Sequence, residues 1–573
     1  MSNHDVKTPR VVQSNARHGG RILADQLAIL GAQKVFCVPG ESFLGLLDGL
    51  YDHRDEIEVI TCRHEAGAAN MADAYGKLTG KPGICAVTRG PGATNASNGV
   101  HTAFQDSTPM IVLIGQVATE MMDREAFQEM DYRRMFGEMA KWVAQIDDIT
   151  RIPEYLSRAW HVAQSGRPGP VVLALPEDVL AEYADVADAR PVQIGRSAPT
   201  AEAMERLESL LRASKAPLLL LGGPNWDAET AQLAGQVATH LNLPVVTSFR
   251  CQDYIDNGHP NYGGVVGIAP SPALRHKIRE EVDLLITIGS RLGEMTTQGY
   301  TLVDIPLPQM GFVHVHPGPE ELGHVYASDL PINSAPSEFL QACLKMSTGV
   351  GHWDKAWTQG FRQAYEAFLQ PTEVPGDLNM GRVIQHLSKV LPQDTVFTNG
   401  AGNYSVWLHR FHAHRAYRTQ LAPTSGSMGY AVPAAIAAKL EAPDRTVVSV
   451  AGDGCFLMTA QELATARKYG LAIIYLVVNN GMYGTIRMHQ ERNHPGRVIS
   501  TELINPDFVA YAGSFGIPGE VVTRTEDVAA AVERARNSKA GYLIELQVDP
   551  EALTPNQTLS AARTQGEHKE VKA

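Results

Sequence analysis

The sequence predicts an α/β protein with three doubly wound parallel-sheet domains. The chain has 573 residues, which is more than a single hydrophobic core usually serves. Hydrophobic residues make up 44% of the chain and charged residues 19%, as is typical of soluble globular proteins. Short β-rich apolar runs alternate with segments of helical periodicity. This alternation indicates parallel sheets that are covered by helices on both faces.

The first domain is predicted over residues 15–185. It opens with the amphipathic segment RILADQLAILGA, which predicts a helix, and continues with KVFCVPG, which predicts a short strand ending in Pro-Gly. The runs GICAVTRGPG and MIVLIGQ repeat the strand pattern. These strands are expected to share one parallel sheet, because helical segments separate them.

A linker and a second domain are predicted next. The stretch ADVADARPVQIGRSAPT is rich in Asp, Ala and Pro, which indicates a linker. The apolar runs APLLLLGGP and DLLITIGS beyond it predict buried strands of a central domain over residues 198–350.

The alternation of strands and helices returns near residue 376 and predicts a third domain over residues 376–550. Its strand-like runs are DTVFTNGAGN, RTVVSVAGDG, AIIYLVVNN and GYLIELQVDP. Residues 551–573 are polar and charged, and we expect them to form a mobile C-terminal tail.

Charge and cysteine usage exclude several classes of function. The formal net charge is -13 and Lys and Arg form no run, so nucleic acid and anionic lipid are not expected partners. The first residues lack an apolar signal core and no apolar stretch reaches a membrane-spanning length, which predicts a cytoplasmic protein without a membrane partner. The six cysteines are scattered without a C-x-x-C pair, so they are expected to be buried thiols.

Two polar clusters predict a metal and phosphate site in the third domain. One apolar strand runs into Gly452, Asp453 and Gly454, and the next ends at Asn480, 27 residues after Asp453. Because carboxyl ends of parallel strands meet at one sheet edge, Asp453 and Asn480 are expected to face each other. Carboxylate, amide and backbone oxygens suit Mg²⁺, and the carbonyl of Met482 would complete the set. The glycines and the helix N-terminus would admit a diphosphate.

The Gly-Asp-Gly and Asn-Asn ends, at this separation and with a helix and a strand between them, resemble the motif of thiamine diphosphate (ThDP) dependent enzymes. The resemblance extends over nearly the whole chain. It implies a pyrimidine-binding first domain, a central domain and a diphosphate-binding third domain. It also implies ThDP and Mg²⁺ as cofactors, with Asp453, Asn480 and Met482 as the metal ligands.

The resemblance assigns roles to further residues. Glu65, in the segment ITCRHEAGAANMADAYGKLTG, corresponds to the catalytic glutamate, whose hydrogen bond to the aminopyrimidine ring promotes removal of the thiazolium proton. As an isolated residue, Glu65 also fits a charge at a helix N-terminus.

Met428 would hold ThDP in a bent shape and the Gly426 carbonyl would accept a hydrogen bond from its aminopyrimidine ring. The implied cofactor-binding set is Asn403, Tyr404, Gly426, Met428, Gly452, Asp453, Gly454, Cys455 and Asn480. The usual Gln-His pair of the family is changed at the positions of Asn403 and Tyr404.

Assembly is implied by the same resemblance. In this family the glutamate of one subunit serves the cofactor that the third domain of another subunit holds. A homodimer or homotetramer with active sites at the subunit interface is therefore expected.

Within the family, several segments resemble the acetolactate synthase group. They include TRGPGATNASNGVHTAFQDSTPMIVLIGQV and RPGPVVLALPEDV. In that group the residues matching Gln128 and Lys141 line the active-site entrance, and the residue matching Arg291 can meet a substrate carboxylate. This implies a ThDP-dependent transferase or lyase, and specifically a carboligase. Such an enzyme decarboxylates a pyruvate-like 2-oxo acid and joins the two-carbon fragment to a second carbonyl.

Three departures from that group leave an alternative open. Glu41 stands where acetolactate synthases usually have a small residue, and an acid there could protonate the decarboxylated intermediate and release an aldehyde. His489 replaces a tryptophan that helps to select the acceptor. His316 and Gly318 stand where relatives that bind FAD tend to have aspartates, so FAD is a candidate cofactor only. The alternative function is a non-oxidative 2-oxo acid decarboxylase or lyase.

A dehydrogenase or a non-catalytic homologue is disfavoured. A dinucleotide-binding dehydrogenase would show G-x-G-x-x-G after its first strand, and KVFCVPGESFLG does not supply it. A non-catalytic homologue would have lost the glutamate or a metal ligand, whereas Glu65, Asp453 and Asn480 are all present.

Overall fold

A computed structural model describes residues 15–570 and contains three six-stranded parallel sheets. The predicted fold class, three doubly wound α/β domains, is confirmed.

The N-terminal sheet has the strand order β3-β2-β4-β5-β7-β6, and the short strands β1 and β8 pair antiparallel beside it. The strands are β1 (Arg17–His18), β2 (Lys34–Cys37), β3 (Glu58–Thr61), β4 (Gly83–Val87), β5 (Met110–Gln116), β6 (Trp142–Gln145), β7 (Pro170–Pro176) and β8 (Tyr183–Ala184). The helices are α1 (Gly19–Ile29), α2 (Leu44–Asp52), α3 (Glu65–Thr79), α4 (Pro91–Asp106), α5 (Tyr132–Phe136), α6 (Ile152–Gln164) and α7 (Glu177–Ala181).

The central sheet has the order β11-β10-β9-β12-β13-β14. Its strands are β9 (Pro217–Leu221), β10 (Val245–Thr247), β11 (Tyr262–Val265), β12 (Leu284–Ile288), β13 (Gly311–His316) and β14 (Leu330–Asn333). The helices of this region are α8 (Ala201–Ala213), α9 (Ala228–His240), α10 (Pro272–His276), α11 (Pro336–Cys343) and α12 (Lys355–Phe368).

The C-terminal sheet has the order β16-β15-β17-β18-β20-β19. Its strands are β15 (Val396–Asn399), β16 (Gln420–Leu421), β17 (Val447–Gly452), β18 (Ile474–Asn479), β19 (Gly519–Val522) and β20 (Tyr542–Gln547). The helices are α13 (Met380–Val390), α14 (Tyr404–Phe411), α15 (Ala431–Glu441), α16 (Asp453–Leu457), α17 (Leu463–Lys468), α18 (Gly484–Asn493), α19 (Phe508–Ser514), α20 (Val528–Asn537) and α21 (Leu559–Glu570).

Strand order places the polar clusters where ligands bind in such folds. In the C-terminal sheet the order in which successive strands are added reverses between β15 and β17, and in the N-terminal sheet it reverses between β2 and β4, while all strands stay parallel. Open α/β sheets hold ligands outside the carboxyl ends of the strands at such points. Gly452 ends β17, Asp453 directly follows it, and Glu41 follows β2, so these residues lie at such positions.

The outer two domains share one apolar core, in which α3 packs against α15. A buried ionic network reinforces this contact. Lys77 donates to Asp73 at 2.7 Å and pairs with Asp106, Asp73 accepts from the Tyr430 hydroxyl at 2.6 Å, and Asp106 accepts from the Thr424 amide at 3.0 Å. Because each buried charge has an opposite partner, removal of one would leave the others uncompensated.

The expectation of a mobile tail after residue 550 is wrong over 559–570, where the chain forms α21 and packs against α18. The physical reason is the fully buried Glu491, whose carboxylate accepts from the Arg563 guanidinium at 2.6 and 2.9 Å. Arg563 lowers the pKa of Glu491 to about 2. Leu553 and Leu559 also pack against Met482, so the segment is held by apolar and ionic contacts.

All six cysteines are buried and free, as expected. Over residues 15–570, no helix combines the length and the apolar character needed to cross a bilayer.

Candidate functional site

A cavity of about 280 Å³ lies at the carboxyl edge of the C-terminal sheet. Its lining includes residues that directly follow β15, β17, β18 and β20. All nine residues of the implied cofactor-binding set line it, and so does Met482. The cofactor-binding residues predicted from separate segments of the sequence therefore line a single cavity.

Asp453 is almost fully buried at the start of α16, with 3% of its surface exposed. Its carboxylate Oδ2 accepts from the Gly481 amide at 3.0 Å and from the Asn505 side chain at 2.8 Å. Burial raises the pKa of Asp453 against the opposing effect of these hydrogen bonds. A divalent cation would offset that burial, because it stabilises the ionised carboxylate.

The bond from Gly481 holds Asp453 against the loop that carries Asn480 and Met482. The Asn480 Oδ1 accepts from the Met482 amide at 3.3 Å. The Met482 carbonyl accepts from the Gly484 amide at 2.9 Å, which leaves its second lone pair for another partner. A carboxylate, an amide oxygen and a backbone carbonyl are the hard donors that Mg²⁺ prefers, so the donor set fits this ion.

Tyr404 and Asn403 close one wall of the cavity. The Tyr404 hydroxyl accepts from the Gly400 amide at 3.0 Å, and its ring would lie 2.9 Å from a β-carbon on Gly452. Glycine at 452 is thus required by close packing as well as by phosphate access. The Asn403 amide donates to the Thr485 hydroxyl at 3.0 Å, which ties the loop after β15 to the start of α18.

Another part of the lining is the turn that contains Gly426 and Met428. Gly426 adopts φ +72°, a conformation that favours glycine, and Met428 is half-buried against the shared core. The Gly429 amide donates to the Cys455 Sγ at 3.2 Å, and the Tyr404 hydroxyl lies 3.3 Å from the same sulfur. Cys455 therefore joins this turn to the Gly-Asp-Gly helix.

The three predicted catalytic residues lie at the carboxyl edge of the N-terminal sheet, since Glu41 follows β2, Glu65 follows β3 and Gln128 follows β5. Glu65 is the first residue of α3, and its Oε2 accepts from the Asn95 side chain at 3.0 Å. A β-carbon on Gly92 would lie 3.4 Å from its Oε1. Glu65 does not line the cavity of its own chain.

Glu41 and Gln128 flank the loop after β4. The Glu41 side chain is 70% exposed, and its Oε1 lies 3.7 Å from the guanidinium of Arg89. Gln128 has φ +64°, and its carbonyl would lie 2.8 Å from a β-carbon on Gly90. The backbone of Gln128 is therefore strained into a fixed position beside Gly90.

Two predicted substrate residues lie away from the cavity. The Lys141 ammonium donates to the carbonyls of Val162 and Ser165, at the C-terminal end of α6. Burial lowers the pKa of Lys141 to about 8. Within its own chain the ammonium is thus bound by helix-end carbonyls, and the entrance role of Lys141 stays a prediction. His489 is exposed on α18 and contacts Arg492, and it does not line the cavity.

Arg291 lines a second cavity, of about 770 Å³, between the three domains. Its guanidinium donates to the Gln105 carbonyl at 2.6 Å, so it lies apart from the first cavity. Arg250 and Arg418 line the same space, and among the described residues their Nε atoms have no hydrogen-bond partner. These three arginine side chains in one cavity lining fit an anionic ligand.

Sequence reasoning missed two groups beside the predicted residues. Asn505 holds Asp453 from an irregular segment 52 residues away, and Asn95 holds Glu65 from the next helix. Asn95 lies in the segment TRGPGATN that already resembled the family, so that motif could have indicated it. Asn505 lies in no motif.

Comparison with protein families assigns all three domains. The thiamine pyrophosphate enzyme N-terminal TPP binding domain matches residues 17–135, the central domain matches 204–343, and the C-terminal TPP binding domain matches 400–546.

Relatives with similar sequences are acetolactate synthases. The acetolactate synthase large subunit of Corynebacterium glutamicum is 33% identical, over 92% of this chain and 87% of that protein. Isozyme 2 of Escherichia coli is 29% identical over 93% of this chain and 96% of its own. A probable large subunit of Methanocaldococcus jannaschii is 30% identical over 94% and 93%. The chain therefore belongs to the thiamine pyrophosphate enzyme family and is a ThDP-dependent enzyme related to acetolactate synthase large subunits.

Proposed function

We propose that this enzyme is a carboligase of acetolactate synthase type. It decarboxylates a pyruvate-like 2-oxo acid and joins the two-carbon fragment to a second carbonyl. The observation that supports this most is the convergence of the nine cofactor-binding candidates on one cavity, in a chain whose relatives are acetolactate synthases.

Mg²⁺ is proposed to bind between the side chains of Asp453 and Asn480 and the carbonyl of Met482. The support is the buried oxygen donor set around Gly481 and the raised pKa of Asp453. ThDP, when bound, supplies the carbon nucleophile that attacks the 2-oxo group. The chain's own residues would position it, since the amides after Gly452 would donate to the diphosphate and Met428 would support the bent cofactor.

Glu65 is proposed to hold and return a proton at the aminopyrimidine nitrogen of a cofactor bound by a second subunit. Its absence from the cavity lining of its own chain supports a homodimer, or a homotetramer of such dimers. Exposed apolar side chains beside the candidate residues of both outer domains also support it. Phe127, next to Gln128, is 71% exposed, and Ile486, in the cavity lining, is 54% exposed. Exposed apolar groups of this kind are typical of an interface.

Product analysis with pyruvate and with benzoylformate tests the carboligase proposal. We expect acetolactate or acetoin-type products, because the relatives are named as acetolactate synthases. The alternative is a lyase, which is favoured by the exposed Glu41 carboxylate beside Arg89. Release of free aldehyde alone, from either substrate, would rule out the carboligase. In that event Glu41→Gln would reduce aldehyde release.

FAD is the proposed occupant of the second cavity. The side chains of Arg250, Arg291 and Arg418 in the lining support an anionic ligand there, and the volume is ample for a dinucleotide. We expect the purified enzyme to show flavin absorption that is lost in an Arg250→Ala variant. A colourless protein that takes up no added FAD would contradict this assignment.

A further inference from the structure

Glu462 is a buried carboxylate that the proposed mechanism does not use. It ends the short turn Ala460–Glu462 that follows α16, and none of its surface is exposed. An acidic side chain is seldom buried so completely without a partner that requires it. Its partners therefore indicate what it does.

The partners lie in the first domain, immediately before Glu65. Oε1 of Glu462 accepts from the Arg63 amide at 3.1 Å and from the His64 amide at 3.0 Å. Oε2 accepts from the Thr465 hydroxyl at 2.6 Å, which fixes the carboxylate plane. Two consecutive amides at the entry to α3 are thus held by one side chain from another domain.

The turn before Glu65 is constrained on its other side as well. His64 caps α3, since its Nδ1 accepts from the Ala66 amide at 3.1 Å. A β-carbon on Gly67 would lie 2.4 Å from the Glu462 Oε1, so only glycine admits this approach. The orientation of the Glu65 side chain therefore depends on the backbone that Glu462 holds at residues 63 and 64.

We propose that Glu462 is a positioning residue for Glu65. It lies in the segment that begins at Asp453, so one short stretch carries a metal ligand candidate and also orients the glutamate of the same chain. This inference rests on the proposed role of Glu65. Glu462 itself does not line the cofactor cavity, so its effect is exerted through the backbone of residues 63 and 64.

The expected effect is a loss of turnover without a matching loss of cofactor affinity. A displacement of about 1 Å in a catalytic group can reduce rate by about 100-fold. Glu462→Ala should reduce kcat with pyruvate by about that factor, and slow the exchange of the C2 proton of bound ThDP similarly. Glu462→Gln keeps an acceptor oxygen at the position of Oε1 and should retain most of the activity. Glu462→Asp keeps the charge but is too short, and should resemble the alanine variant.

Tyr469 provides a matched control. Its hydroxyl also joins the third domain to the first, because it accepts from the Thr61 amide at 2.8 Å and donates to the Val59 carbonyl at 3.1 Å. Tyr469→Phe removes this contact and leaves the amides of Arg63 and His64 untouched. It should lower the melting temperature with little change in kcat or in C2 proton exchange.

The outcomes separate the two proposals. If Glu65→Gln turns over as the wild type does, the proposed function of Glu65 fails, whatever Glu462 does. If Glu65→Gln is inactive while Glu462→Ala behaves like Tyr469→Phe, the positioning inference fails and the proposed function stands. Should Glu462→Ala not fold, the Asp and Gln variants decide: an active Asp variant with an inactive Gln variant would overturn the inference.

Discussion

An Asp453→Ala variant is expected to lose Mg²⁺-dependent binding of ThDP. Loss of groups that merely support a metal ligand weakens metal sites by about 10- to 100-fold, so loss of the ligand itself should exceed 100-fold. Isothermal titration of ThDP with and without Mg²⁺ measures this. Asp444→Ala, at an exposed aspartate before the same strand, is the control and should bind normally. Asn505→Ala, which removes one hydrogen bond to Asp453, should weaken binding by about 10-fold.

The stability of the cofactor-free protein should change in the opposite direction. Because burial raises the folded-state pKa of Asp453, its ionisation opposes folding as pH rises through that pKa. Asp453→Asn removes this penalty, so its cofactor-free form should melt no lower than the wild type at neutral pH. It should gain little stability from added ThDP and Mg²⁺. Wild-type affinity in the alanine variant would show that the metal site lies elsewhere.

Glu65→Gln is expected to reduce turnover by about 100- to 10,000-fold, the usual range for loss of a group that moves a proton. ThDP should still bind, because the binding residues lie in the third domain. The measurements are kcat with pyruvate and the C2 proton exchange of bound ThDP. Glu58→Gln, at an exposed glutamate on β3, is the matched control and should leave both unchanged.

Mixed oligomers test whether Glu65 acts on a neighbouring subunit. Co-expression of Glu65→Gln and Asp453→Ala chains gives mixed dimers. In each of them the Asp453→Ala chain contributes an intact Glu65 to the cofactor that the Glu65→Gln chain binds. Random mixing should restore about a quarter of the wild-type activity, because half of the dimers are mixed and each has one complete site. Each variant alone should be inactive. A mixture that remains inactive although mixed dimers form would place Glu65 in the site of its own chain.

The convergence of the candidate metal and diphosphate residues on one cavity could be predicted because they belong to one local unit. Asp453 and Asn480 end neighbouring parallel strands, β17 and β18, and strand pairing alone brings such ends together. The fold class followed from the same alternation of strands and helices. Nothing beyond the pattern of one β-α-β unit was needed.

Contacts between distant segments could not be predicted. Asn505 is 52 residues from Asp453, and Glu462 is 399 residues from Arg63, so no local pattern links them. Lys141 matched a family position, but its surroundings are set by the end of α6, which the sequence near Lys141 does not encode. The helix α21 was missed because a long-range ion pair between Arg563 and Glu491 holds it in place. The sequence around Arg563 is polar and gives no sign of this contact.

The apolar core that joins the outer domains limits how this protein can be divided. The faces of α3 and α15 bury each other, so a fragment containing one outer domain would expose an extended apolar surface to water. The central region has two clusters whose buried members all lie between Leu207 and Tyr365. Buried hydrogen bonds from Arg250 to the Pro423 and Gly400 carbonyls join this region to the third domain, so a transplanted central region would have to keep those pairs. The two outer domains would have to be kept together, because they share one core.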